Sequence, residues 1–237
     1  MPGFRRGSSS PLSVGDGSHR RVGRYDPSRR RREDIIDIAV LVSGSGSNLQ
    51  ALIDAAEDPG FGARIVVVVS DRPSVRALDR AEAASIPTRV VEWSAFSDRD
   101  SFTRAVCDVV ADAGAEAMVL AGFMRILAPV AIERFPERII NIHPALLPAF
   151  PGAHAVRQAL AHGVKLTGVT VHFVDEQVDH GPIIAQEPVR VFPDDDEASL
   201  HARIQRVEHD LYPKVVSAFA QGRLRVAGRI VHWEGPR

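Results

Sequence analysis

From residue 35 onward the hydrophobic positions switch repeatedly between two periods, and each switch marks an element. Residues 35–42 form a short, mostly apolar run with acidic residues before it and Gly and Ser after it, the pattern of a strand buried on both faces. Beyond a Gly/Ser loop at 43–47, Leu49, Leu52, Ile53 and Ala56 recur at helical spacing. Five consecutive β-branched residues at 65–69 predict a strand. Residues 77–85 then predict a helix and 88–91 a third strand. Phe102, Val106, Val109 and Val110 share one helical face in a segment that starts after Ser97-Asp98 and stops at Gly114. Residues 117–120 and 139–141 predict the fourth and fifth strands.

This alternation predicts an α/β domain built on a mostly parallel sheet. Residues 169–173 and 183–191 follow one another with no helix between, joined by a loop containing His180-Gly181-Pro182, which predicts an antiparallel pair. Leu200, Ile204, Val207, Leu211 and Val215 give a last amphipathic helix, with a break or kink expected at Pro213. No internal repeat or second linker interrupts the pattern, so residues 35–237 are expected to form one domain.

Charge sharpens the picture. The 237 residues hold 29 Lys+Arg and 30 Asp+Glu, a near-balance that hides a segregation. Nine Arg and four acids fall in residues 1–34, net +5, leaving 20 basic and 26 acidic residues, net −6, for the remainder. Residues 1–34 are Ser-, Gly- and Arg-rich without an apolar core, which predicts a disordered basic extension rather than a secretory signal. An acidic domain carries no nucleic-acid footprint, and no run approaches the roughly 18 apolar residues of a membrane span. The single cysteine, Cys107, lies mid-helix, so a disulfide framework and a cysteine zinc cluster are both excluded; a reducing, cytoplasmic compartment is expected.

Two clusters carry chemistry. Ser43-Gly44-Ser45-Gly46-Ser47-Asn48 lies between the first strand and the first helix, where backbone N–H groups converge on an anion. A phosphate site is one reading. A plain tight turn with Ser47 capping the helix is a second. A dinucleotide site with Asp71 as ribose acceptor is a third, weakened because Leu49 stands where the third glycine of that fingerprint belongs.

The second cluster is Asn141-Ile142-His143-Pro144 at the end of the fifth strand, where alternation puts Asn141 and His143 on one side. Asn141 can donate to a developing oxyanion, and His143 exchanges a proton near neutral pH. Asp179, in the loop 175–181, can orient or charge that imidazole. Each residue also has a bland reading, as strand-end cap, core histidine and turn former. There is no G-x-S-x-G elbow and no H-E-x-x-H, so neither an enzyme nucleophile nor a catalytic metal is expected. What remains is carbonyl polarisation and proton transfer, with the nucleophile brought by a substrate.

The runs LVSGSGSNLQA (41–51), LAGFMRIL (120–127), NIHPALLPAFPG (141–152), VHFV (171–174) and DHGP (179–182) resemble the phosphoribosylglycinamide formyltransferase family across about residues 35–233. The resemblance implies a doubly wound, mostly parallel twisted sheet of Rossmann-like formyltransferase type with an antiparallel edge. It implies two small-molecule substrates, phosphoribosylglycinamide and 10-formyltetrahydrofolate as co-substrate, without metal, nucleic acid or membrane; monomer and homodimer both stay open. Carried over residue by residue, it places phosphoribosylglycinamide on Gly46, Ser47, Asn48, Gln205 and Glu208. It places the folate on Arg99, Met124, Arg125, Ile126 and Leu127, on Asn141, and on Asp175, Glu176, Gln177, Val178 and Asp179. It makes Asn141, protonated His143 and Asp179 the catalytic trio. Ser45 and His180 depart from the family pattern, where Asn and Gly are usual; His180 is expected to be an exposed loop residue. The related formyltetrahydrofolate hydrolase, methionyl-tRNA formyltransferase and a nucleotide-sensing module without catalysis are the competing readings.

Overall fold

A computed structural model describes residues 35–234; the basic extension at 1–34 lies outside the described residues. In chain order the elements are β1 (Ile36–Val42), α1 (Ser47–Ala55), β2 (Ala63–Ser70), α2 (Arg76–Ala83), β3 (Thr88–Val90), α3 (Arg99–Asp112), β4 (Ala117–Leu120), α4 (Pro129–Arg134), β5 (Ile139–His143), α5 (Ala155–Ala161), β6 (Leu166–Phe173), β7 (Ile183–Arg190), α6 (Glu197–Ala220), β8 (Leu224–Ala227) and β9 (Ile230–Trp233). The strands form one sheet in the order β3-β2-β1-β4-β5-β6-β7-β9-β8. From β3 to β5 all pairs are parallel. β7 runs antiparallel to β6, as their helix-free connection predicts, and β6 also runs antiparallel to β5 despite α5 between them. The β8–β9 hairpin adds to β7 through the single pair Ile183–Ile230.

Alternation along β1 explains why its sequence reads as almost wholly apolar, with Asp37 near its start as the exception. Ile36, Ile38, Val40 and Val42 face a core shared with α1, α5 and α6, whereas Ala39 and Leu41 face a second core with α3 and α4, built on Phe102, Val106, Val110 and Phe135. A strand covered on both faces has no polar side to show. Phe102 is fully buried beneath Trp93 and Phe96, so Phe102→Ala is expected to cost about 3–5 kcal/mol.

The last helix is not broken at Pro213. α6 is one element of 24 residues that passes through this proline, entered by a reciprocal cap between Asp196 and Ser199. Proline removes one backbone donor, but Leu211, Tyr212, Val215, Val216 and Phe219 on both sides of it are buried in the first core, and packing of that face holds the helix together. The chain visits β2 and β3 on one side of β1 and then crosses to β4 on the other. The carboxyl ends of β1 and β4 therefore form a topological switch point, where ligands bind in open α/β sheets. Among the described residues no helix is long and apolar enough to cross a membrane.

Candidate active site

Both chemical clusters lie at this edge of the sheet. At the end of β1 the chain turns through Gly46, whose φ of 69° is left-handed and which serves as the N-cap of α1. A Cβ there would lie 2.7 Å from Cα and Cβ of Ala77 in α2, so both the backbone angle and the close approach require glycine. Ser47 is the first helical residue, not the cap, and no side chain caps α1. The first intrahelical bond is Gln50 N–H to Gly46 C=O, 2.9 Å, so the preceding N–H groups are free to face an anion. From α6, Gln205 Nε2 donates to Ser47 Oγ (3.4 Å) and Glu208 Oε2 accepts from Asn48 Nδ2 (2.9 Å). Gly46, Ser47, Asn48, Gln205 and Glu208 are thus brought together across 160 residues of chain. Burial pushes the Glu208 carboxyl above its ordinary range, with the Asn48 amide opposing the shift.

A cavity of about 340 Å³ adjoins the turn, lined by Ser47, Gln50, Ala51, Asp54, Arg80 and His209. Arg80 donates to the Ser45 carbonyl and the Gln50 side chain, both at 2.9 Å. Neither Arg80 nor His209 stands out in the sequence. His209 is four residues after Gln205, a helical spacing that points to it; Arg80 has no such signal, since α2 reaches the turn only through the fold.

A second cavity, of about 480 Å³, opens between the segment 120–127 after β4 and the loop 174–179 after β6. Met124, Arg125, Ile126 and Leu127 line one wall, and Asp175, Glu176, Gln177, Val178 and Asp179 the other, with Asn141 and His143 at its base. Met124, Ile126 and Val178 are exposed apolar side chains at its mouth, suited to a flat aromatic ligand. Arg125 pairs with Asp71 at 2.6 Å. That contact occupies the carboxylate the dinucleotide reading needs. Arg99 is exposed at the start of α3 and is not among the lining residues of either cavity. His180 is exposed, as expected, yet held: its Nδ1 lies 2.7 Å from Asp175 Oδ2, and Arg229 of the β8–β9 turn donates to its carbonyl at 2.7 Å.

The antiparallel register of β5 and β6 sets Asn141 opposite His172 and His143 opposite Thr170. Asp179, itself in a left-handed conformation at φ 50°, reaches back to both strand-end residues: its Oδ2 is 3.2 Å from His143 Nδ1 and its Oδ1 accepts from Asn141 Nδ2 at 3.4 Å. His172 completes the group. Its Nδ1 lies 2.8 Å from the Phe173 carbonyl, and its Nε2 lies 3.2 Å from Asn141 Nδ2 and 3.6 Å from Asp179 Oδ1. The sequence shows this histidine only as a polar position in an otherwise apolar strand, a pattern shared with satisfied core histidines.

Both ring nitrogens of His143 face acceptors, since Nε2 lies 2.8 Å from the Phe150 carbonyl. That arrangement suits an imidazolium, but burial opposes the charge more strongly than Asp179 and Phe150 favour it, and His143 is held below its ordinary range. Burial works to raise the Asp179 carboxyl; hydrogen bonding from His172, the field of His143 and the Gly152 N–H at 2.7 Å outweigh it, holding Asp179 ionised. The cluster therefore presents an amide donor, an imidazole whose proton uptake awaits a second negative charge, and a carboxylate ready to support it. Cys107 is unsuited to nucleophilic work: it is buried in the α3 core, and desolvation pushes its thiol up to about 11. Among the described residues no group of three or more His, Cys, Asp or Glu is arranged to hold a metal ion.

The family model described as formyl transferase matches residues 36–216. The chain is 42% identical over 202 residues to the phosphoribosylglycinamide formyltransferase of Escherichia coli (strain K12), covering 85% of this chain and 95% of that protein. It is 44% identical over 195 residues to the trifunctional purine biosynthetic protein adenosine-3 of Bos taurus, 81% of this chain, and spans only 19% of that longer protein. The crystal structure of glycinamide ribonucleotide transformylase 1 from Symbiobacterium toebii aligns with a TM-score of 0.82 at 44% identity, over 84% of this chain and 94% of that one.

Proposed function

The chain belongs to the formyl transferase family, and on that premise we propose that it transfers the formyl group of 10-formyltetrahydrofolate to the amine of 5-phosphoribosylglycinamide in purine biosynthesis, in the cytoplasm. The observation that carries this reading is the placement of two cavities, one beside a glycine turn and one with apolar walls, at the same switch point as the Asn141–His143–Asp179 cluster. The phosphate binds the N–H groups of Gly46, Ser47 and Asn48, with Gln205 and Glu208 beside it. The folate enters between 124–127 and 175–179, bringing its formyl carbon to Asn141.

The amine attacks the formyl carbon, and the carbonyl π pair moves onto oxygen. Asn141 Nδ2 turns an N–H to that oxyanion, and the protonated His143 ring, whose two nitrogens face Asp179 and Phe150, stabilises it through its charge. His143 resists protonation in the free site because it is buried; the new negative charge offsets the desolvation cost, so the imidazolium forms where the transition state needs it. Asp179 stays ionised and supports the charged ring while water relays the proton lost by the amine to the departing folate nitrogen; the proton that His143 takes from solvent on attack returns to solvent on collapse. The tetrahedral carbon then collapses to the N-formyl product and tetrahydrofolate.

Purified protein mixed with the ribonucleotide and a 10-formylfolate donor, followed by absorbance of the deformylated folate, is expected to turn over only with both substrates present. No turnover sinks the transferase reading. Turnover at an equal rate without the ribonucleotide replaces it with the hydrolase.

A further inference from the structure

One buried charge has no part in the scheme above. Asp71 follows β2, and its side chain is fully buried. The Ser70 hydroxyl donates to the Arg72 carbonyl (2.7 Å) and accepts from the Arg72 N–H (3.2 Å), closing the tight turn that directs Asp71 inward. Because β1 lies between β2 and β4, the carboxylate reaches across the end of β1 to Arg125, whose Nε donates to Oδ2 at 2.6 Å. The main-chain carbonyl of the same residue accepts from the Trp93 N–H at 3.4 Å, and the Trp93 ring lies under the Arg125 guanidinium, 5.3 Å from ring centroid to Cζ. Asp71 thus fixes Arg125 twice, at one edge through its carboxylate and over one face through Trp93.

Stability does not account for this arrangement. Oδ2 of Asp71 also lies 3.6 Å from Nε of the exposed Arg72, but Oδ1 is buried without a hydrogen-bond partner among the described residues, and a buried carboxylate with an unmatched oxygen is a poor stabiliser. Among the described residues the Asp71 carboxylate is the one hydrogen-bond acceptor of Arg125. Its two terminal nitrogens are uncommitted on the wall of the apolar cavity. A guanidinium held by Nε and by one face presents those nitrogens as a rigid fork matched to a carboxylate. In a folate the anionic groups are the carboxylates of the glutamate end. We propose that Asp71 is a positioning residue that fixes Arg125 to receive a carboxylate of the formyl donor's glutamate, an inference that rests on the formyl-transfer reading.

The test uses the full chain and two donors, one with and one without the glutamate. Asp71→Asn is expected to raise KM for the glutamyl donor about tenfold, the equivalent of one charge-assisted hydrogen bond. KM for the truncated donor, KM for the ribonucleotide and kcat stay within about twofold. In an Arg125→Ala background the Asp71 substitution adds nothing further. Equal losses on both donors, an unchanged KM, or additivity with Arg125→Ala would overturn the proposal; so would a lowered KM, which would mean that Asp71 only neutralises Arg125. Should Asp71→Asn fail to fold, Trp93→Phe carries the same expectation of a KM rise confined to the glutamyl donor. If the unsubstituted protein transfers no formyl group, the functional reading fails, and a binding measurement decides the present one. The chain has two tryptophans, so Trp233→Phe leaves Trp93 as the reporter for titration with 4-aminobenzoyl-glutamate. Weaker binding in Asp71→Asn by about tenfold supports the fork, and equal affinity rejects it.

Discussion

The glycine turn and the Asn141–His143–Asp179 cluster sit at the same edge of one sheet but are built in opposite ways. The turn is local: six consecutive residues supply backbone donors whose direction follows from one left-handed glycine and the helix behind it. The cluster is assembled from three separate places, the end of β5, the facing position of β6 and a loop, and it acts through side chains that titrate. Backbone dipoles hold an anion with the same strength at any moderate pH. A buried imidazole beside a carboxylate changes state when charge arrives. In the proposed mechanism, recognition falls to the part that stays fixed and chemistry to the part that responds.

Substitutions in the cluster should break the chemistry and leave recognition intact. His143→Ala and Asp179→Asn are each expected to lower kcat by about 10²- to 10³-fold in steady-state assays, while equilibrium binding of the ribonucleotide changes little. Near-normal turnover in either variant removes that residue from the mechanism. Gly46→Ala should do the reverse. With φ at 69° and Ala77 at 2.7 Å, the added methyl is expected to cost roughly 1–3 kcal/mol in chemical denaturation and to raise KM for the ribonucleotide more than it lowers kcat.

Acid separates the two regions further, because their buried groups shift in opposite directions. Burial lowers His143 from its ordinary 6.5, and hydrogen bonds and nearby charge lower Asp179 from 3.8. Both stabilise the fold fully above those ordinary values; the contribution is lost as pH falls through 6.5 toward the folded value for His143, and below 3.8 for Asp179. Glu208 is raised above its ordinary 4.5 by burial. Its stability contribution is full below 4.5 and is lost as pH rises through the folded value. Glu208→Gln should therefore gain in Tm over the parent as pH is raised from 4.5 to 7, whereas His143→Gln should flatten the acid limb of the stability profile. A Tm difference for Glu208→Gln that is constant with pH would contradict the assignment. The smallest effect is expected at Arg99. Exposed and not among the residues lining the cavity, it is expected to act through a screened field, so Arg99→Ala should raise KM for the donor by no more than about threefold, an effect that salt erases.

The same contrast governs what the sequence shows. β1, β2, β4 and the capped start of α3 at Asp98 are readable because burial on both faces or a side-chain cap leaves a local pattern. The glycine turn is readable because its residues are consecutive in sequence. α4 and α5 are short, six and seven residues, and neither has a side-chain cap; α4 is announced only by Pro129 at its first position, and α5 follows His154 in a left-handed conformation. Pro213 misleads because the propensity rule ignores the core on either side of it. Within the site, Asn141, His143 and Asp179 are legible as residue types in context, but His172 and Arg80 become site residues only through strand register and helix packing.

In the proposed mechanism one formyl group passes directly between two substrates held at these two regions. Turnover of a donor labelled with carbon-13 in the formyl group, in water enriched in oxygen-18, tests it by mass spectrometry of the products. Direct transfer predicts a formylated ribonucleotide that retains the label in full, acquires no oxygen-18, and appears in equal amount to the tetrahydrofolate. Labelled formate carrying solvent oxygen, formed in place of that product, would contradict the account.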